Sequence, residues 1–246
     1  MRIWTRSTLA SLSLSALVLT GCAVEQLPPV DEVLEVVEEV VEAEVPRHPL
    51  TGMELGTASL PGPSMAVKID NTSSGRPQVG IAAADLAFEE LVEGGFTRFL
   101  AVFESTIPAE VGPVRSGRPQ DAGLVKAFGG VFVFSGVGNA NVREIIRGTG
   151  LQLVEHDTSG GTPDGAFFFR SDRKPAPWNL HIKAADLMAT YSALDAPVQQ
   201  FDYKTDPAEA SATVSGNAAE RITVVFSKGI ESIWEWDVAT NSYLKF

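Results

Sequence analysis

Cysteine is almost absent from this chain of 246 residues: Cys22 is the only one. A lone thiol excludes an intramolecular disulfide, and its position at the edge of a leader excludes thiol catalysis. Histidine is nearly as scarce. His48, His156 and His181 lie too far apart for a classical zinc site, so no metal centre is expected. Basic residues are outnumbered, with 19 Lys and Arg against 31 Asp and Glu and a formal net charge of −12. Most of such a surface repels a polyanion, which argues against nucleic acid as a partner. No G-x-S-x-G nucleophile elbow occurs.

What is present begins with a leader. Arg2 and Arg6 precede an apolar, serine-diluted stretch from Leu9 to Leu19, which ends in Leu19-Thr20-Gly21-Cys22. A positive start, a short apolar core and small residues define an export signal over residues 1–22. The apolar core is too short to span a bilayer as a stable helix. Leu-Thr-Gly-Cys resembles the lipobox of bacterial lipoproteins. That resemblance implies a diacylglyceryl-modified Cys22, with palmitate-like chains holding an exported protein on the outer face of a membrane.

Residues 23–48 read as a tether. Pro28-Pro29 opens it and Pro46 and Pro49 close it. Between them "DEVLEVVEEVVEAEV" carries seven acids and no base. Val33, Val37 and Val40 recur at helical spacing, so an amphipathic helix is one reading. A self-repelling spacer that keeps the domain off an anionic surface is the other. The tether holds most of the negative charge, so a local basic site can exist in the domain behind it.

Hydrophobic residues make up 44% of the whole chain, enough for a packed core in the remainder. Strands are expected at 65–70, 84–92, 96–104, 130–137 and 151–156, with a short strand or loop at 164–172 and a tight turn at Gly94-Gly95. Helices are expected at 120–128, 139–150 and 182–194. This alternation predicts an α/β to α+β domain over 49–196, a mixed sheet with covering helices. A small β-rich segment over 197–246 follows, with strands at 220–227 and a hairpin over 232–246 turning at Ala239 to Asn241. Its pattern is still strand-like at Phe246, which predicts that this segment is incomplete here.

The stretch "GPVRSGRP" (112–119) holds Arg115 and Arg118 between two prolines. Pro119 suits the first turn of the helix that follows. The arginines would then sit at a helix mouth, where free N–H groups and the dipole favour an anion. Arginine forks match phosphate or carboxylate. The competing reading pairs both with local acids such as Glu104, Glu110 or Asp121. Further polar residues fall at strand ends: Asp70 and Asn71, then Arg76, Glu93 and Arg98. A loop at 169–181 adds Arg173, Asn179 and His181. His181 is a candidate general acid or base, or a structural histidine. "GVGNAN" (136–141) imitates a dinucleotide fingerprint, but Asn141 replaces the third glycine, so no nucleotide cofactor is expected.

Four blocks occur in order: "PLTG" (49–52), "MAVKIDN" to "TRFLAVFES" (65–105), "VGPVRSGRP" (111–119) and "RKPAPWNLH" (173–181). Together they resemble the YerB-like bacterial lipoproteins, a group built on a domain of unknown function. The resemblance implies a larger first domain, a smaller β-rich second one and an extracytoplasmic location. It supplies no activity. Where relatives commonly show Ser-Ala-Arg, this chain has Ser116-Gly117-Arg118, and both arginines are kept. Two functions stay open. One is a tethered binding module for an anionic envelope component or a protein. The other is an enzyme of phosphate-linked envelope precursors, with Asp70, Glu93 or His181 moving protons.

Overall fold

The stretch "MAVKID" is buried at every residue, which only a central strand allows. In the computed structural model it is β1 (Met65–Asp70), the middle of a five-stranded mixed sheet. The structure describes residues 45–56, 61–156 and 166–246. The leader, Cys22 and the tether up to residue 44 lie outside them. Residues Val45–Phe246 form one compact unit, and among the described residues no helix is long and apolar enough to cross a membrane.

On one side of β1 lies β3 (Thr97–Phe103), antiparallel, and beyond it β2 (Leu86–Leu91), also antiparallel. On the other side run β5 (Val131–Phe134) and β6 (Gln152–Glu155), both parallel to their inner neighbour. The order is therefore β2-β3-β1-β5-β6. Alternation along β1 splits its side chains between two cores. Ala66 joins Leu100, Phe132 and Phe134 beneath two helices, α1 (Asp121–Phe128) and α2 (Ala140–Arg147), which contribute Val125, Phe128, Val142 and Ile146. Met65, Val67 and Ile69 face the opposite way. They meet Ile182 and Leu187 from β8 (Leu180–Lys183) and α3 (Ala184–Thr190). Each large side chain so buried contributes roughly 2 kcal/mol of transfer free energy.

The helix ends follow local chemistry. Asn139 caps α2 by accepting a hydrogen bond from the Val142 N–H at 3.1 Å. Gly129 and Gly130 stop α1 with φ of 70° and 66°. A Cβ at Gly130 would lie 2.0 Å from the Ser64 carbonyl oxygen, so the close approach of β1 and β5 requires glycine there.

A small antiparallel sheet packs β8 between β4 (Glu110–Val111) and β7 (Phe168–Arg170). The sequence reading placed residues 180–181 in a loop and started a helix at 182. They are strand instead, and α3 begins at Ala184. Leu180, His181 and Ile182 are all buried by pairing with β7 and β4. A last antiparallel meander follows a short helix, α4 (Ser211–Ser215): β9 (Arg221–Ser227), β10 (Ile230–Asp237) and β11 (Ser242–Lys245). It touches the main sheet through Ser232, which donates a hydrogen bond to Glu89 Oε2 at 2.7 Å, and Ser227, which donates to the Gly95 carbonyl at 3.0 Å.

Candidate functional site

Register sets the first layer of the site. Asp70 stands opposite Arg98, and Arg98 opposite Glu90, so three charged residues form a row at one end of β1, β3 and β2. This is the carboxyl end of the parallel strands, where α/β sheets leave a crevice. The arginine loop crosses the row. Its backbone is laced to three strands: the Arg115 N–H donates to the Lys68 carbonyl at 2.8 Å, the Ser135 N–H donates to the Arg115 carbonyl at 2.9 Å, and the Val114 N–H donates to the Leu180 carbonyl at 2.7 Å.

The guanidinium of Arg115 meets Asp70 through Nε and Oδ2 at 2.7 Å. The other oxygen of Asp70 accepts from the Thr72 backbone N–H at 2.7 Å and from its hydroxyl at 2.6 Å. Arg118 clamps Glu93 through Nε at 2.8 Å and Nη2 at 2.7 Å. These bonds hold the Glu93 carboxyl below its usual range. Arg98 donates to the Ser116 carbonyl at 2.8 Å, and no carboxylate pairs with it among the described residues. Burial, with the nearby charges of Arg118 and Arg115, pushes the Arg98 guanidinium down to about 10. Three guanidiniums therefore answer to two carboxylates, Asp70 and Glu93. Arg98 and Arg115 border a cavity of about 310 Å³ whose lining also includes Asp70, Thr72, Glu93, Phe96 and Trp178; Arg118 reaches it only through Glu93.

Two expectations change. Helix α1 starts at Asp121, with tight turns over Arg118 to Gly123 rather than a first helical turn at Pro119. Its amino end is also filled from within. Asp121 Oδ2 accepts from the Arg118 N–H at 2.6 Å, and the next N–H groups bond to carbonyls of Arg118, Pro119 and Gln120. The arginine side chains, not the helix terminus, supply the charge. The arginines do pair with acids, but with Asp70 and Glu93. Glu104 pairs with His48 and Glu110 with Arg173.

The remaining candidates separate into two other groups. Asn71 donates to Glu89 Oε1 and to Thr97 Oγ1, both at 2.8 Å, while Arg76 Nε reaches Asn71 Oδ1 at 3.1 Å. Asn71 and Arg76 line a more apolar cavity of about 490 Å³ with Phe99, Trp234 and Lys245. His181 Nδ1 lies 2.5 Å from Glu110 Oε1, and Arg173 binds the same carboxylate with both terminal nitrogens at 2.8 and 2.7 Å. Burial lowers the His181 pKa. His181 does not line the arginine cavity. Asn179 accepts from Arg170 Nη1 at 2.9 Å.

The sequence reading missed Lys68, Thr72 and Trp178 as parts of this end of the fold. Lys68 is fully buried and bonds Glu90 Oε2 and Asp121 Oδ1, each at 2.7 Å. A lysine inside an otherwise apolar strand was the available signal, since buried ammonium groups need carboxylate partners.

Residues 50–197 match the family described as protein of unknown function (DUF3048), N-terminal domain. The chain belongs to this family. It is 32% identical over 158 residues to a Bacillus subtilis (strain 168) protein named "Putative lipoprotein YerB", a match that takes in 64% of this chain. The chain spans 44% of that relative's length. The crystal structure of YerB protein from Bacillus subtilis shares the fold, with a TM-score of 0.62 at 24% identity, covering 82% of this chain and 66% of the other. The α+β architecture and the YerB-like membership expected from the motifs are thus both found.

Proposed function

We propose that this protein is a membrane-tethered binding module that recognises an anionic envelope component through Arg98 and Arg115, with Arg118 fixing Glu93 in the wall of the cavity. Cys22 carries the lipid, the acidic segment 23–48 spaces the domain from the outer face of the membrane, and the arginine cavity faces the ligand. The observation that carries the reading is the unbalanced charge: three guanidiniums against Asp70 and Glu93, with Arg98 half-buried and without a paired carboxylate among the described residues. A bound oxyanion would supply the missing negative charge and use guanidinium donors held in place by the laced loop.

The enzymatic alternative needs a group free to move a proton near the bound anion. Asp70 is tied to Arg115 and Thr72, Glu93 to Arg118, and His181 to Glu110 away from the cavity. That arrangement favours recognition over transfer. Calorimetric titration of the chain with inorganic phosphate tests it. The expected result is saturable binding that the Arg98→Gln variant loses while its unfolding temperature stays within about 2 °C of wild type. Equal binding by the variant would sink the reading. Mass spectrometry of the mature protein checks the lipid on Cys22.

A further inference from the structure

Arg115 borders a second cavity. This space, of about 370 Å³, is also lined by Ser116, Ser135, Gly136, His156, Arg170 and Pro177 among others. Arg115 lines both cavities, and its Nη1 reaches the Pro177 carbonyl at 3.4 Å; Pro177 lines the second cavity and Trp178, the next residue, the first. The second cavity repeats the chemistry of the first. Arg170 donates to the neutral Asn179 and pairs with no carboxylate among the described residues. The hydroxyls of Ser116 and Ser135 lie 3.4 Å apart, a long and weak hydrogen bond that an incoming oxygen can replace. Both cavities open at the carboxyl end of the parallel strands, one beyond β1 and the other beyond β5 and β6.

We infer that the two cavities are lobes of one site that takes a linear chain of phosphate groups, one lobe using Arg98 and Arg115 and the other Arg115, Arg170 and the two serines. The inference deepens the proposed anion-binding reading and rests on it. Cationic forks on both sides of one guanidinium suit charges repeated along a single molecule, and the hydroxyl donors beside them add to a donor set that the oxygens of phosphate groups use more fully than the two of a carboxylate. A ligand that fills both lobes turns its second contact into an intramolecular one, which multiplies affinity without any new kind of contact.

The test titrates the full chain with orthophosphate and with linear inorganic polyphosphates of increasing length, alongside an oligo-glutamate of matched charge. Wild type should bind the longer phosphate chains at least about tenfold more tightly than orthophosphate. In Arg170→Gln that ratio should fall to about one. Arg170 is exposed, so this variant keeps the fold; unchanged thermal unfolding verifies it. Affinity that does not grow with chain length, or a ratio that survives Arg170→Gln, overturns the two-lobed site while leaving the Arg98 cavity standing. Oligo-glutamate binding as tightly as polyphosphate overturns the phosphate class. Failure of every probe, orthophosphate included, overturns the anion-site reading itself.

Discussion

Replacing Glu90 by Gln should flatten the pH dependence of stability between about pH 5.5 and about pH 8. Lys68 is a single buried ammonium shared by two carboxylates, Glu90 and Asp121. Burial, then repulsion from Asp121, raises Glu90 from the ordinary 4.5 to about 7. Its side chain is only 9% exposed, so water screens little of this. A raised folded-state pKa means that the native protein holds the proton more tightly than the unfolded chain. The resulting stabilisation is complete below 4.5 and is lost as pH rises through about 7. The whole gap is worth about 3 kcal/mol, of which about 2 kcal/mol falls inside the window named. Urea denaturation of wild type and Glu90→Gln at both pH values reads it directly. Other groups titrate nearby. Burial lowers His181, which acts in the opposite direction, and raises Glu104, which acts in the same direction. Both persist in the variant and cancel in the comparison. If Glu90→Gln keeps the full wild-type pH dependence, Glu90 is ionised throughout and Lys68 compensates both carboxylates, which refutes the reasoning.

Two glycines separate backbone necessity from tolerance. Gly130→Ala should cost about 2 kcal/mol or more in urea denaturation, because it combines a φ of +66° with a Cβ placed 2.0 Å from the Ser64 carbonyl. Gly117→Ala should change stability by less than about 1 kcal/mol, since its Cβ would press only on the far end of the Ile146 side chain, at 2.9 Å.

The main sheet was legible because its strands advertise themselves locally. "MAVKID", "FTRFLAVFE" and "GVFVFSGV" are dense in apolar residues of strand type, and all three pair in the central sheet. Helices over 121–128 and 140–147 were legible from spacing and from their glycine stops. The strand at 180–183 was not, because Pro175, Pro177, Asn179 and His181 read as loop and its stability comes from partners distant in sequence. The two-residue strand at Glu110–Val111 lies below any periodicity signal. Non-local pairing also explains what the site reading lost. Lys68 finds Glu90 at a separation of 22 residues and Asp121 at 53. The filled amino end of α1 did leave a trace, an Asp three residues after Arg118, the spacing at which a carboxylate reaches a free N–H.

The stiffness of the arginine loop bears on how the site would work. Flexible loops lose entropy when a ligand orders them, and that loss is subtracted from affinity. Here the loop is ordered before any ligand arrives. Val114, Arg115 and Gly117 each donate a backbone hydrogen bond, to Leu180, Lys68 and Gly136, at 2.7 to 2.9 Å. Val114 bridges Ile69 of β1, and Gly117 bridges Val137 beyond β5. The acids complete the frame. Asp70 and Glu93 do not neutralise the cluster; each holds one guanidinium by a specific edge, Nε of Arg115 and the Nε–Nη2 side of Arg118. The Nη2 donor of Arg115 and the guanidinium of Arg98 are then the groups left to meet an anion. A site assembled this way gives up some of its charge for orientation, and the charge it keeps is concentrated on Arg98, a partly desolvated guanidinium whose charge an oxyanion would compensate.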